Sequence, residues 1–257
     1  MRKTAITVLT TGLLTAAFAA SALAGSLLSE PFAYPDGALA VVGGPAWTIH
    51  SGAGTDIAVT GGVAIGTMSN APDDNRTFPA RSTTDKTYAC FLLRIPTQAP
   101  ALVCNYFAHF MVNSTTFRSK VFVTPSGSSF TLGLSVTANA AGAPLAPPVA
   151  PLGATWPSPL NYDTWYTVTI SYNAVGGVSE LWINPADESS PKITATDATA
   201  ASGGLTAFGL RQSNTGGAAF IYHVDNISVG TSFADACNGY PTSTVETTWG
   251  HLKTIYR

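Results

Sequence analysis

The stretch WYTVTISYNAVGGVSELWINP, residues 165–185, decides the fold. Tyr166, Val168, Ile170 and Tyr172 alternate with Thr167, Thr169 and Ser171, the period-two pattern of a strand with one buried face and one polar face. Residues 173–178 carry the adjacent glycines Gly176 and Gly177, after which Leu181 and Ile183 alternate with Glu180, Trp182 and Asn184. As a hairpin, the two apolar faces meet when Ile170 opposes Leu181 and Val168 opposes Ile183. That register puts Trp182 beside Thr169 on the outward face.

The same pattern recurs outward from this hairpin. Phe130, Leu132, Leu134 and Val136 alternate with Thr131, Gly133, Ser135 and Thr137, and Phe208 and Leu210 mark another strand with Arg211 outward. Ile57 and Val59 precede Gly61 and Gly62, followed by Val63 and Ile65; a three-residue loop aligns Val59 with Val63 and Ile57 with Ile65. In the last strand the apolar phase slips at Asp225 and Asn226, between Phe220, Tyr222 and Val224 on one parity and Ile227 and Val229 on the other, which predicts a bulge or a change of partner. About a dozen short strands without an intervening helix predict an all-β, two-layer antiparallel sandwich. Composition agrees: 24 Gly, 17 Pro and only 10% charged residues suit short strands and many turns.

Two segments stand apart. Residues 138–159 hold six prolines and Trp156, too proline-rich for an inner strand, and read as a functional loop or as a strap on a sheet edge. Val245, Trp249, Leu252 and Tyr256 lie near helical spacing, with Ser243 and Thr244 as caps, which predicts a short amphipathic C-terminal helix after a linker that begins at Asn238. That helix is a candidate docking tail, or it lies on the sandwich.

Residues 1–24 read as a secretory signal: Arg2 and Lys3, an uncharged run from Ala5 to Ala20, and the small-x-small site Ala22-Leu23-Ala24. The expected organisation is therefore a signal over 1–24, a sandwich over 25–237 and a tail over 238–257, in a secreted or cell-envelope protein. Removing Arg2 and Lys3 takes the formal charge from −2 to −4, with no basic block for nucleic acid, and no later apolar stretch reaches transmembrane length. Three cysteines fall in the exported part, so three pairings are open. A hairpin through residues 96–100 favours Cys90 with Cys104.

The opening LLSEPFAYPDGAL, residues 27–39, with GGPAWTIHSG, residues 43–52, and the closing YHVDNISVGTSFAD, residues 222–235, together resemble the first and last strands of secreted bacterial concanavalin A-like lectin/glucanase modules, close to the laminin-G-like jelly rolls. Glu30, Phe32, Tyr34, Asp36, Gly37, Asp225, Asn226, Val229 and Gly230 carry the match. The resemblance implies a jelly roll whose first and last strands lie side by side. It also implies a lectin-like binding or remodelling of polysaccharide, and Ca²⁺ held in loops, for which Asp225, Asn226 and the Asp187-Glu188 turn supply oxygen ligands.

A glucanase of this kind is expected to carry acids at i, i+2 along one strand, so that both flank one glycosidic bond. No such repeat occurs; Asp73-Asp74 and Asp187-Glu188 are adjacent pairs in turn-rich sequence. His109 and His223 read as strand residues and His50 as a turn residue. Tyr106, His109, Arg211 and Gln212 have the residue types of a lyase site, and nothing in the sequence brings them together. Sugars stack apolar faces on aromatics and hydrogen-bond through hydroxyls. The candidate ligand residues are accordingly Trp182, Tyr106, Asn105, His109, Arg211 and Gln212, with Trp47 and Tyr222 as further aromatics. The expected function is a non-catalytic module for carbohydrate or another cell-surface ligand. An adhesive surface protein without sugar specificity, and a polysaccharide hydrolase or lyase with an atypical site, are the alternatives.

Overall fold

The computed structural model describes residues 25–69, 71–97, 104–139, 149–201, 203–212 and 220–237. These residues form two antiparallel sheets stacked as a sandwich. The first sheet runs β14 (Lys192–Thr196), β13 (Val178–Ile183), β12 (Tyr166–Asn173), β7 (Lys86–Arg94), β16 (Ile221–Gly230), β5 (Val63–Thr67), β4 (Ala58–Thr60) and β2 (Gly37–Ala38), with β1 (Ser26–Glu30) also paired to β16. The second runs β11 (Gly153–Thr155), β10 (Ser129–Ser135), β9 (Thr116–Ser126), β8 (Asn105–Asn113), β15 (Ala207–Leu210), β6 (Asp73–Thr77) and β3 (Trp47–Ser51). Among the described residues there are two short α-helices, α1 (Leu39–Val42) and α2 (Phe233–Cys237), and one 3-10 turn over Ala198–Ala200. Among the described residues no helix is long and apolar enough to cross a membrane.

The inward parities of the two sheets interdigitate in one core. Phe91 of β7 meets Phe107 of β8 at 6.3 Å and Phe208 of β15 at 5.7 Å between ring centroids, so these aromatics bridge the layers. The β12–β13 hairpin has the expected register, with Val168 opposite Ile183, Thr169 opposite Trp182 and Ile170 opposite Leu181. The phase slip in β16 is present too. Its register against β7 shifts between Asp225 and Ser228, Asn226 takes a positive φ of 53°, and the flanking partner on the other side changes from β5 to β1.

The β4–β5 hairpin differs from the reading above. Val59 faces Ala64 and Thr60 faces Val63, so the loop is two residues, Gly61 and Gly62, both at positive φ. The proline-rich strap ends as edge strand β11 on β10, and the Trp156 amide donates to the Leu132 carbonyl at 2.8 Å. Residues 140–148 of that segment lie outside the described residues, as do the signal at 1–24 and the tail at 238–257 with its predicted helix. The helix that closes the described chain is α2. It packs Phe233 and Ala236 on the outer face of the first sheet.

The expected hairpin between Cys90 and Cys104 does not form. The chain crosses from β7 in the first sheet to β8 in the second, so the two cysteines lie in different layers, Cys104 with Tyr106 and Phe122, Cys90 with Tyr88 and Trp182. No disulfide joins them.

Candidate functional site

The outer face of the second sheet gathers most of the polar residues singled out above. β8 is irregular, its register on β9 shifting between Tyr106 and Ala108 and again between Ala108 and Phe110. Phe107 and Phe110, of opposite parity, therefore both point inward and leave Tyr106 and His109 on the other side, where Tyr106 clusters with Cys104 and Phe122. On β9, Val121 and Val123 point into the core, so Lys120 and Phe122 share the outer face. On β15, Phe208 and Leu210 point inward. Gly209 faces outward against His109: a Cβ at Gly209 would sit 2.8 Å from the His109 Nε2. Arg211 follows on the same parity.

These side chains converge. The Arg211 guanidinium carbon lies 4.2 Å, and the Lys120 ammonium 5.0 Å, from the Tyr106 ring centroid. Arg211 donates from Nη1 to the Asn105 Oδ1 at 2.9 Å. Lys120 donates to the Thr137 carbonyl at 2.5 Å and to the Asn139 Oδ1 at 2.8 Å. His109 stands edge-on to Tyr106 at 5.7 Å and to His50 at 5.9 Å, so the cluster crosses four strands, β9, β8, β3 and the end of β15. Every member except His50 is buried, and His50 belongs to strand β3 rather than to a turn.

Cations dominate the cluster, although the Asp73 charge acts on Tyr106 and His50. Burial, reinforced by the charges of Arg211 and Arg118, pulls Lys120 down to about 8. Burial, then the neighbouring charges of His50, Lys120 and Arg211, holds His109 well below the usual imidazole value, so it is neutral at pH 7. Burial pushes the Tyr106 phenol up. Among the described residues no carboxylate forms an ion pair with Lys120 or Arg211. Among the described residues, both ring nitrogens of His109 and the Asn105 Nδ2 are buried without a hydrogen-bond partner. Each such atom costs about 1–3 kcal/mol unless a polar partner meets it.

Of the six candidate ligand residues, Asn105, Tyr106, His109 and Arg211 meet at this face. Gln212 does not point into it. Its Oε1 accepts the Thr67 N–H at 2.8 Å and its Nε2 donates to the Pro72 and Thr55 carbonyls, so it ties the two sheets together. Trp182 is the clear correction. It does face away from the core, as its register requires, but it is 0% exposed beneath α2, between Tyr88, Phe233 and the Lys86 and Lys192 ammoniums. Trp47 and Tyr222 are buried in the main core. Lys120 was missed. Its signal was a lysine on the outward parity immediately before the apolar run Val121-Phe122-Val123.

The calcium reading also changes. Asp225 is buried at the bulge and accepts the Asn226 N–H at 2.8 Å, while Glu188 accepts from Lys86 at 2.9 Å and Tyr88 at 2.5 Å and Asp187 accepts from Ser189. Among the described residues no three acidic, His or Cys side chains gather in a metal-ligating group. The pairs named for Ca²⁺ therefore do not fit a calcium cage, which needs 6–8 oxygen ligands, about 2.3–2.6 Å away.

Asp73 and Asp74 lie in strand β6 rather than in a turn, and both are buried. Asp73 accepts from Ser51 and from the Gln212 N–H, each at 2.8 Å. Asp74 pairs in register with Leu210 on the core side and neighbours Asp56. Strand alternation turns the two acids to opposite sides of β6, Asp74 towards the core, while the Asp73 charge reaches His50 and Tyr106.

No family model matches the chain, and no curated protein is similar to it. Solved structures are similar in fold. The CBM2 module of the evolved Dit protein of Lactobacillus casei BL23 phage J-1 aligns with a TM-score of 0.51 and 11% identity, over 82% of this chain and 97% of that one. The binding domain of botulinum neurotoxin serotype D/C VPI 5993 aligns with a TM-score of 0.51 and 10% identity, over 82% of this chain and 50% of that one. The chain thus spans half the length of the toxin domain. At these identities the likeness is one of fold.

Proposed function

We propose that this protein is an exported glycan-binding module of the concanavalin A-like jelly-roll kind, and that it takes an acidic saccharide on the outer face of its second sheet. One observation carries the reading: Lys120 and Arg211 are buried together around Tyr106, and no carboxylate of the described chain forms an ion pair with either. Two close, desolvated cations repel and are unfavourable alone, and a carboxylate from outside relieves both costs. The unpartnered Asn105 and His109 nitrogens supply the complementary groups for sugar hydroxyls. Tyr106 serves to hold the two cations rather than as a bare stacking platform. A sandwich of similar fold in a CBM2 module gives the architecture a precedent but does not assign the ligand.

The test is a glycan array bearing uronate- and sialate-containing oligosaccharides beside neutral ones, followed by titration calorimetry. Binding confined to acidic glycans is expected, weakened roughly thirtyfold or more by Lys120→Met, as for removal of a buried charge partner. Affinity falls as pH rises through about 8, where Lys120 loses its proton, and Lys120→Met abolishes that dependence. Preference for neutral glycans, or no binding by folded protein, ends the proposal.

A second reading has one observation in its favour. Neutral His109 beside Tyr106 and Arg211 is an arrangement able to take a proton next to a carboxylate neutralised by the guanidinium. Ultraviolet absorbance of unsaturated uronate products, growing with time on an acidic polysaccharide, distinguishes such a lyase from a binding module.

A further inference from the structure

Cys90 and Cys237, distant in sequence, share one hydroxyl. The Thr169 Oγ1 lies 3.4 Å from the Cys90 Sγ and 3.2 Å from the Cys237 Sγ. Thr169 sits directly opposite Cys90 in the β12–β7 ladder, on the outer face of the first sheet, and Cys237 comes down onto that face from the last residue of α2. The helix is only five residues long, too short to persist by its own hydrogen bonds. Two features hold it. Ser232 and Asp235 cap its start reciprocally, the Asp235 N–H donating to the Ser232 Oγ at 3.1 Å and the Ser232 hydroxyl to the Asp235 Oδ2 at 2.6 Å. Phe233 packs on Tyr88 and Trp182 at 6.2 and 5.6 Å. Both features anchor its beginning, and the Cys237 end rests on Thr169.

We propose that Cys90 and Cys237 are the disulfide-forming pair of this protein, a crosslink that fastens α2 over Trp182 and leaves Cys104 as the unpaired thiol. The chemistry is thiol–disulfide exchange with a small or protein disulfide as oxidant. Cys237, the more exposed thiol, attacks one sulfur of the oxidant as thiolate and releases the other as a thiolate leaving group. Cys90 then loses its proton, attacks the Cys237 sulfur of that mixed disulfide and expels the second thiolate. One S–S bond forms, the oxidant gains two electrons, and two equivalents of its thiol result. Burial, with the neighbouring Cys237, pushes the Cys90 thiol up, so Cys90 is the poorer first nucleophile and the order follows. Cys104 sits in the other sheet, its sulfur accepting from Thr124 at 3.4 Å, and has no second cysteine within reach.

Tryptic cleavage at Lys86, Arg94, Arg118, Arg211 and Lys253 places the three cysteines in three different peptides. Full-length protein is incubated with oxidised glutathione, alkylated in denaturant and mapped by mass spectrometry without reduction. The expected product is one crosslinked species joining the Cys90 and Cys237 peptides, with Cys104 alkylated. Oxidation should raise Tm by roughly 5–15 °C, the range for one long-loop disulfide in a domain of this size. The gain should survive Cys104→Ala and vanish in Cys237→Ser. A crosslink through Cys104, full alkylation of Cys90 and Cys237 after oxidation, or a Tm gain that persists in Cys237→Ser would overturn the proposal.

Discussion

Asp74 is a carboxylic acid that the fold keeps neutral. Its neighbour in sequence, Asp73, points to the opposite side of strand β6, so two adjacent acids have two different environments. Burial is the largest influence on Asp74, followed by the hydrogen bond and charge of Asp56 and the charge of Asp73. Against the opposing Ile57 N–H they push it up to about 9. In the unfolded chain the same group ionises near 4. Between those values the native state holds a proton that the unfolded state has released, so Asp74 makes stability fall as pH rises from about 4 towards about 9. Asp74→Asn keeps the shape and a donor for Asp56 but cannot ionise. Its Tm relative to wild type should therefore climb steadily between about pH 5 and about pH 9, followed by calorimetry. A constant offset between the two proteins across that range would show that Asp74 is already ionised in the native state.

At the scale of single elements, what the sequence disclosed depends on whether partners were local. The β12–β13 register was legible because both apolar faces and the turn lie within one short stretch, and a one-residue slip would turn Thr169 and Glu180 into the core between the sheets. The β4–β5 hairpin was misread for a physical reason. Its inward residues opposite Val59 are small, Ala64 and then Gly66, because Tyr222 of β16 fills that space: a Cβ on Gly66 would lie 2.0 Å from the Tyr222 Cζ. Val63 and Ile65, the more apolar pair, end up half-buried on the other side. Trp182 was misjudged for the same kind of reason, since α2 supplies its cover from far along the chain. Phe233→Ala should therefore destabilise the protein by about 3 kcal/mol in urea titrations. It should also shift Trp182 emission to the red and open it to acrylamide quenching, read as the difference from the same variant carrying Trp182→Phe. Unchanged quenching would mean that α2 does not shield this tryptophan.

At the scale of the whole molecule, the two sheets are fastened by polar groups whose joint role no single motif discloses. Alternation put Arg211 outward, yet that Asn105, Tyr106, His109 and Arg211 meet follows only from the irregular register of β8 on β9 and from the strand order β9-β8-β15-β6-β3, which brings distant segments side by side. Glu30 is the counterpart in the core. It belongs to β1 of the first sheet, is 1% exposed, and accepts from Trp47 Nε1 of β3 at 2.7 Å, from the Tyr34 hydroxyl at 2.8 Å, from the Phe32 N–H at 2.6 Å, and from Arg76 of β6. The opening motif that carried the family resemblance thus has a mechanical meaning: one carboxylate clamps the N-terminal strand of one layer to two strands of the other. Phe32, at a positive φ of 48°, stacks on Trp47 at 5.7 Å and shields the clamp from water. Replacing the carboxylate leaves Arg76 half-buried without its counter-charge, which for a buried pair costs about 3–5 kcal/mol. Glu30→Gln should lower the urea midpoint accordingly. Near-ultraviolet circular dichroism and tryptophan fluorescence should still report one shared transition in wild type, because the clamp couples the layers. A loss below about 1 kcal/mol in Glu30→Gln, the range of exposed ion pairs, would place the cohesion of the two sheets in their aromatic core alone.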